Sequence, residues 1–201
     1  MQHKPGKIEL VGGGERQKNQ IPQRIVSLVT GRIKVKEEDV SYFSKFLKEF
    51  QDETDRGAAL VGAALIDSRL DRILSSHLIE CKEAKELIEG GNACLSTLSA
   101  KSKLCYCLGL ITSLEFCEIE TIRKIRNEFA HQVHGLDFHN QRVRDLCNNL
   151  KANTPDNSRF GGNPRQLFIN SIILTSLSLW YRPEYAKHIK AEERRWEYEL
   201  S

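Results

Sequence analysis

The segment Asp55–Leu78, with the sequence DRGAALVGAALIDSRLDRILSSHL, decides the fold of this chain. Its aliphatic residues recur at helical spacing and cover most of a helix surface, which indicates a helix that is largely buried. Small residues keep its first half narrow, and they permit close packing of neighbouring helices; they are Gly57, Ala58, Ala59, Gly62 and Ala63. The segment therefore predicts one closely packed helix of a bundle.

The segments on either side continue this helical pattern. An amphipathic helix is predicted from Val40 onward, and Asn163 followed by Pro164 has the residue types of a helix start. The other predicted helices cover Lys82–Ile88, Ala100–Ile111, Leu114–Ala130 with Ser113 as N-cap, Asn140–Lys151, Leu167–Trp180, and a charged stretch after Pro183. No strong strand alternation occurs, so we expect an all-α fold, a compact multi-helix bundle of about five to seven helices.

Composition changes along the chain divide it into three parts. Residues 1–38, rich in Gly, Gln and Asn, are expected to form a flexible N-terminal arm. Residues 39–182 are expected to form the helical domain, with a loop at 152–163 that is rich in Asn, Pro, Gly and Ser. Residues 183–201 are expected to form a charged C-terminal helix.

Charge and hydropathy exclude several classes of protein. The net charge of +3 falls short of the basic footprint of a dedicated duplex binder. No export signal begins the chain, and polar residues interrupt its most apolar late stretch, Phe168–Tyr181. We therefore expect a cytoplasmic protein that makes no contact with the membrane.

The six cysteines are not arranged as a disulfide framework or a zinc site. Most of them lie within apolar helical patterns, and no Cys-x-x-Cys pair occurs. We expect reduced, small, buried side chains. His131, His134 and His139 lack a carboxylate or cysteine that would complete a familiar ligand spacing, so no metal site and no cofactor are predicted.

The hexapeptide Arg126–His131, with the sequence RNEFAH, is the segment that most resembles a chemical site. It places a permanent cation, the Asn127 amide and a titratable imidazole at the end of one predicted helix. These groups have the chemistry to hold and cleave a phosphodiester. They also have the chemistry to end a helix, because a histidine cation interacts favourably with a helix C-terminus.

An acidic pair supports the second, structural interpretation. Asp67 and Asp71 are four residues apart and share one face of the apolar helix at Asp55–Leu78. Two carboxylates in such a sequence are candidates to pair with a buried arginine. If Arg126 is that arginine, the hexapeptide specifies helix packing rather than catalysis.

The stretch from Phe46 to His131 resembles the mannitol operon repressor family. The likeness is carried by Asp55–Leu74, by the turn Leu108–Ile111 and by the Glu-rich helix that leads to Arg126 and His131; Leu167–Trp180 extends it weakly. The resemblance implies a small, all-helical bacterial protein of transcriptional repression without a recognised catalytic role.

The hexapeptide also resembles the signature of the HEPN superfamily, in which an arginine and a histidine end a helix of a four-to-five-helix bundle. Many members are dimeric ribonucleases. The resemblance implies that Arg126 would bind the scissile phosphate, that His131 would be the general acid or base, and that Asn127 would orient one of them. No metal would be needed, and RNA would be the substrate because its 2′-hydroxyl is the nucleophile.

Helical geometry restricts this nuclease hypothesis. A spacing of five residues places Arg126 and His131 about 140° apart on an ideal helix, so they cannot converge on one ligand. The site requires a helix that frays at Ala130 or a second protomer that supplies the complementary pair. A homodimer is therefore a prediction of the enzyme hypothesis.

Two functions remain open from the sequence. The first is a bacterial regulator of the mannitol-repressor type that acts through protein partners or weak nucleic-acid contact, since no convincing helix-turn-helix with a polar recognition helix occurs. The second is a metal-independent endoribonuclease that uses Arg126 and His131. Whether the chain is an enzyme is left undecided.

Overall fold

The computed structural model describes residues 37–90, 93–132, 135–151 and 162–197, and all regular structure in these residues is helical. The helices are α1 (Glu37–Gln51), α2 (Asp55–His77), α3 (Lys82–Ile88), α4 (Leu98–Cys107), α5 (Ser113–His131), α6 (Gln141–Asn148), α7 (Pro164–Trp180) and α8 (Arg182–His188). Only Tyr181 separates α7 from α8, and counting these two together gives seven helical bodies within the described ranges. The predicted all-α class is confirmed.

Helix α2 is the centre of the bundle. It packs against α1, α3, α4, α5, α7 and α8. The Thr54 hydroxyl caps its first turn by accepting from the Gly57 amide at 3.0 Å. Nine of its residues are buried, and they are Ala58, Ala59, Gly62, Ala63, Ile66, Arg69, Leu70, Ile73 and Leu74. The segment that predicted a largely buried helix therefore forms the core element of the fold.

Three helices approach one another closely at Gly62. A Cβ atom placed there would lie 2.9 Å from Cγ1 of Ile172 on α7 and 3.1 Å from Cζ of Phe50 on α1. Carbon atoms pack at about 3.5–4.0 Å, so this position has no room for a methyl group. The small residues of α2 thus permit the close packing that the sequence predicted.

An aromatic chain connects the end of α5 to α7. The rings of Phe129 and Phe138 have centroids 5.0 Å apart, and those of Phe138 and Phe168 are 5.4 Å apart. All three side chains are fully buried. Tilted rings at these distances contribute about 0.5–1.5 kcal/mol each beyond the area that they bury. The contacts fix the C-terminal end of α5 inside the bundle.

Two serines of α7 have partners on α5. Ser171 donates to Oε1 of Glu118 at 2.6 Å, and Ser178 donates to Oε1 of Glu115 at 2.6 Å. These bonds satisfy two of the hydroxyl groups that interrupt an apolar helix, whereas the buried hydroxyl of Ser176 has no partner among the described residues. No helix of the described residues is long and apolar enough to cross a membrane.

The C-terminal region differs from the prediction of a charged helix over residues 183–201. Helix α8 ends at His188, and residues 190–197 have no regular structure. The run from Glu192 to Arg195 offers no apolar side chain to bury, and Trp196 beyond it is 73% exposed. A short helix without an apolar stripe gains too little from packing to form.

The structure describes little of the other predicted segments. The predicted arm at 1–38 and the predicted loop at 152–163 lie almost wholly outside the described residues. Asn163 caps α7 as predicted, because its side chain accepts from the Gln166 amide at 3.2 Å. The division of the chain into arm, domain and tail stays a prediction.

Candidate functional site

Helix α5 positions the hexapeptide, and its start is defined by a capping box. The Thr112 hydroxyl accepts from the Glu115 amide, and the Glu115 carboxylate accepts from the Thr112 amide at 2.8 Å. The N-cap is therefore Thr112. The sequence-based prediction of Ser113 as the N-cap is wrong. From there α5 continues without interruption to His131.

The regular course of α5 keeps Arg126 and His131 apart. His131 is itself the last helical residue, so the helix does not fray at Ala130. Both side chains are exposed, and about 140° of helix rotation separates them. One copy of the chain therefore does not bring the two reactive groups of the nuclease hypothesis together.

Arg126 has no acidic partner among the described residues. Its guanidinium makes a contact within the hexapeptide, where Nη1 donates to Oδ1 of Asn127 at 3.1 Å. Glu128 is engaged elsewhere, because its carboxylate lies 2.9 Å from Nε of Arg142 on α6. Arg126 consequently retains a positive charge that no carboxylate of the described chain balances.

The acidic pair on α2 is held by a lysine, and not by an arginine as the sequence suggested. Nζ of Lys101 on α4 lies 2.7 Å from Oδ2 of Asp67, and 2.8 Å and 2.9 Å from the two oxygens of Asp71. Burial acts to lower the pKa of Lys101, but hydrogen bonds and charge from both carboxylates outweigh it and raise that pKa. The proposed ion pair between Arg126 and Asp67 or Asp71 is therefore wrong.

The buried arginine of α2 is Arg69, which the sequence did not single out. It is 5% exposed, and its guanidinium carbon lies 3.8 Å from the ring centroid of Trp180 on α7. Burial, together with the charge of Arg72, lowers the pKa of Arg69 to about 10. Arg69 stays protonated near neutrality and stabilises the α2–α7 contact.

A cleft of about 520 Å³ lies between α2, α5 and the start of α4. Arg123, Arg126 and Asn127 line it on α5, and Asp67 lines it on α2. The cleft thus brings two of the three candidate catalytic residues together with one member of the acidic pair. His131 is not among its lining residues.

Arg123 is fixed in this cleft by a chain of contacts. Its Nε and Nη2 donate to Oε2 of Glu120 at 3.1 and 2.9 Å, and Oε1 of Glu120 accepts from the Ser102 hydroxyl at 3.1 Å. The charge of Arg123 is therefore balanced locally. The net positive charge on the α5 side of the cleft comes from Arg126.

A second surface feature is an uncharged corner where α4 meets α5. No charged residue occurs from Leu104 to Leu114. We call the exposed side chains of this turn the apolar corner: Tyr106, Cys107, Leu108, Leu114 and Cys117. Leu114 is 56% exposed, and Tyr106 stacks on Phe116 with ring centroids 5.0 Å apart. These exposed apolar side chains are available for contact with a protein.

The turn that presents the apolar corner depends on Gly109. Its φ of 69° lies in the left-handed region, which a glycine adopts without strain. The amide of Leu110 then donates to the carbonyl of Cys105 at 2.8 Å, closing the end of α4.

The cysteines and histidines provide no metal centre in the described part of the chain. No group of three or more His, Cys, Asp or Glu residues there is arranged to hold an ion, and His134 lies outside these residues. All six cysteines are free; Cys105 and Cys147 are buried as expected, whereas Cys94, Cys107 and Cys117 are exposed. Burial raises the pKa of both buried thiols to about 12.

Comparison with known proteins finds one family and one solved structure. Residues 65–161 match the family described as mannitol repressor, which confirms the resemblance to that family. A chain of the X-ray structure of the MtlR–HPr complex from Escherichia coli is 18% identical, with a TM-score of 0.49, over 73% of this chain and 99% of that one. No curated protein matches the chain.

Proposed function

Because residues 65–161 match the mannitol repressor family, we propose that this chain is a cytoplasmic regulator of transcriptional repression that acts through contact with a protein partner. The observation that carries the proposal is the apolar corner. Its exposed side chains offer no positive charge to the phosphates that dominate nucleic-acid binding. An apolar surface of this kind favours a protein partner whose own surface is apolar.

The connections between helices argue against direct reading of an operator. A helix-turn-helix joins its two helices by a turn of about 3–4 residues. In the described residues such turns lead into α2, which is buried at the centre, and into α3, whose charged residues are two lysines and two glutamates. Helix α3 is exposed and polar, but it is only seven residues long and its lysines and glutamates cancel in charge, so it does not resemble a helix that enters a major groove.

The test uses HPr as a defined protein partner, because the solved structure of similar fold is an MtlR–HPr complex. Binding of HPr from the same organism is measured by calorimetry for the wild type and for Leu114→Glu. A charge buried in an apolar contact costs more than about 1.4 kcal/mol, so the dissociation constant should rise at least about tenfold. Ile189→Glu is the matched control, because Ile189 is 57% exposed and Leu114 56%.

Two outcomes would overturn this proposal. One is an absence of HPr binding, or binding that Leu114→Glu and Ile189→Glu leave equally strong. The other is binding to a defined DNA duplex that greatly exceeds binding to its scrambled version at the same salt concentration, since that would show direct sequence reading.

A second candidate function is a metal-independent endoribonuclease with Arg126, Asn127 and His131 as catalytic residues. The observation that favours it is the absence of a carboxylate partner for Arg126 among the described residues. Since α5 keeps Arg126 and His131 apart, this activity requires a homodimer in which each copy completes the site of the other. Of the acidic pair, Asp67 lines the same cleft as Arg126 and Asn127, whereas Asp71 contacts Lys101 outside that lining.

The nuclease is tested with purified protein and mixed RNA in the presence of EDTA. Cleavage by the wild type that disappears in Arg126→Ala and in His131→Ala would support the enzyme. Lys124→Ala is the matched control, because Lys124 is an exposed cation on the same helix that does not line the cleft. Equal cleavage in all four samples would indicate a contaminating nuclease and eliminate the hypothesis.

A further inference from the structure

The cleft between α2, α4 and α5 has features that are not needed for contact with a protein or for packing of the core. Its volume of about 520 Å³ lies within the range of small-molecule sites, about 300–1,000 Å³. Its floor is formed by the aliphatic side chains of Leu60, Ala63 and Ala64 on α2. Charged and hydrogen-bonding groups lie around that floor. We propose that this cleft binds a small phosphate ester that carries hydroxyl groups.

The α5 side of the cleft provides the anion-binding groups. Arg126 has an unbalanced guanidinium, and its five N–H groups suit bidentate contact with phosphate oxygens. Asn127 accepts from Arg126 through Oδ1, which leaves its amide NH₂ to donate. Arg123 is held in place by Glu120, so it adds donors without requiring a large rearrangement.

The start of α4 faces the same cleft and adds backbone donors. Ser96, Thr97, Leu98 and Ser99 all line it. The Thr97 hydroxyl accepts from the Ala100 amide at 3.2 Å, but the amides of Leu98 and Ser99 precede the first intrahelical hydrogen bond. Free amides at a helix N-terminus attract anions, and they therefore reinforce the charge of Arg126.

The α2 side of the cleft adds a carboxylate, because Asp67 lines it. Oδ2 of Asp67 lies 2.7 Å from Nζ of Lys101, and its buried Oδ1 has no hydrogen-bond partner among the described residues. A carboxylate accepts from hydroxyl groups and repels a second phosphate. A ligand with one phosphate and several hydroxyl groups therefore suits both the cation of α5 and the carboxylate of α2.

A small ester fits this cleft better than a nucleic acid does. Single-stranded RNA is bound through aromatic stacking and a continuous basic groove. No aromatic residue lines the cleft, and its lining includes the carboxylate of Asp67 beside the cations of α5. RNA is therefore treated as an alternative outcome of the test.

The test uses glycerol 3-phosphate as the probe and follows its binding by calorimetry at fixed ionic strength. Glycerol alone and inorganic phosphate are measured beside it. We expect glycerol 3-phosphate to bind more tightly than either. Arg126→Gln should weaken binding at least about tenfold, since charge-assisted hydrogen bonds are lost. Lys124→Gln removes an exposed cation from the same helix outside the cleft and should leave binding unchanged.

A second variant separates a shaped site from simple charge attraction. Ala64→Leu extends an exposed alanine on the cleft floor and should reduce binding of the ester, although every charge remains. Circular dichroism checks that each variant is folded. Leu114→Glu at the apolar corner should bind the ester normally, so the result does not depend on the fate of the proposed protein contact.

The outcomes that would overturn the inference are distinct. Inorganic phosphate that binds as tightly as the ester would show that the hydroxyl groups are not recognised. Equal losses in Arg126→Gln and Lys124→Gln would show non-specific attraction. A single-stranded RNA that binds far more tightly than the ester, and depends on Arg126, would assign the cleft to RNA.

Discussion

Nζ of Lys101 lies 2.7 Å from Oδ2 of Asp67, across the contact between α4 and α2. The lysine side chain is 5% exposed, and the same nitrogen also contacts Asp71. A buried ammonium group is tolerated only when carboxylates replace the water that it has lost. The pair on α2 is therefore needed to hold α4 against the bundle, which leaves Arg126 free for other chemistry.

Removing the Lys101 charge should destabilise the fold. Lys101→Met leaves two carboxylates facing each other without a cation. Breaking a fully buried pair costs about 3–5 kcal/mol, and because the two aspartates are about one third exposed we expect about 2 kcal/mol. Urea unfolding measures this difference. Lys82→Met is the control, because the Lys82–Glu86 pair is largely exposed and should contribute less than about 0.5 kcal/mol.

The contribution of Lys101 should also depend on pH in a defined direction. The pKa of Lys101 is raised above its ordinary value of 10.5 in the folded protein. The stabilisation is then complete below pH 10.5 and is lost as the pH rises through the folded pKa. Above neutral pH, we expect the difference in unfolding free energy between wild type and Lys101→Met to stay constant up to about pH 10.5 and to shrink beyond it. A difference that stays constant throughout the alkaline range would contradict this assignment.

The start of α5 offers a prediction in which two neighbouring residues are compared. Thr112→Ala removes the hydroxyl that caps the helix and should cost about 1 kcal/mol. Ser113→Ala should change stability by less than about 0.5 kcal/mol, because Ser113 is already the first helical residue. Thermal unfolding of both variants checks the assignment. Equal losses of stability in the two variants would mean that both hydroxyl groups contribute to the cap.

Local sequence patterns predicted the helices well. The N-cap of α5 was predicted wrongly, although the sequence around it contains the correct signal. Thr112 is followed three residues later by Glu115, which is the capping-box signature, whereas Ser113 is followed by Phe116. The signal was therefore present in the sequence. The C-terminal helix was predicted from charge and a proline alone, with no apolar stripe to support it.

The site was harder to predict, because its partners come from distant parts of the chain. Lys101 and Lys103 lie on the same helix, and only the rotation of α4 against α2 decides that Lys101 is buried. Arg69 and Trp180 meet through the packing of α2 against α7, which no single-helix pattern encodes. Sequence patterns identified the acidic pair and the hexapeptide, but they did not indicate which residues these groups contact.

Thiol reactivity should separate the six cysteines into groups. Exposed Cys94, Cys107 and Cys117 should react quickly with Ellman's reagent near pH 8. Cys105 and Cys147 should react only on unfolding, because burial raises the pKa of each to about 12 and excludes the reagent. Counting fast thiols in native protein and all thiols in guanidinium chloride tests this. Fast reaction of all six in native protein would contradict the core packing.

The two glycines of α2, which lie five residues apart, should differ in how much stability is lost when each is replaced by alanine. At Gly62 the new methyl group would meet Ile172 and Phe50, which are side chains of a packed core, so Gly62→Ala should destabilise by about 1–3 kcal/mol. At Gly57 the nearest atom belongs to the flexible carboxylate of Glu53, which can move away, and the Thr54 hydroxyl at 3.1 Å would need to shift by only a few tenths of an ångström. Gly57→Ala should therefore stay within about 0.5 kcal/mol of wild type, helped by the better helix propensity of alanine. Urea unfolding of the two variants measures this contrast, and similar values for both would mean that α2, α1 and α7 do not meet closely at Gly62.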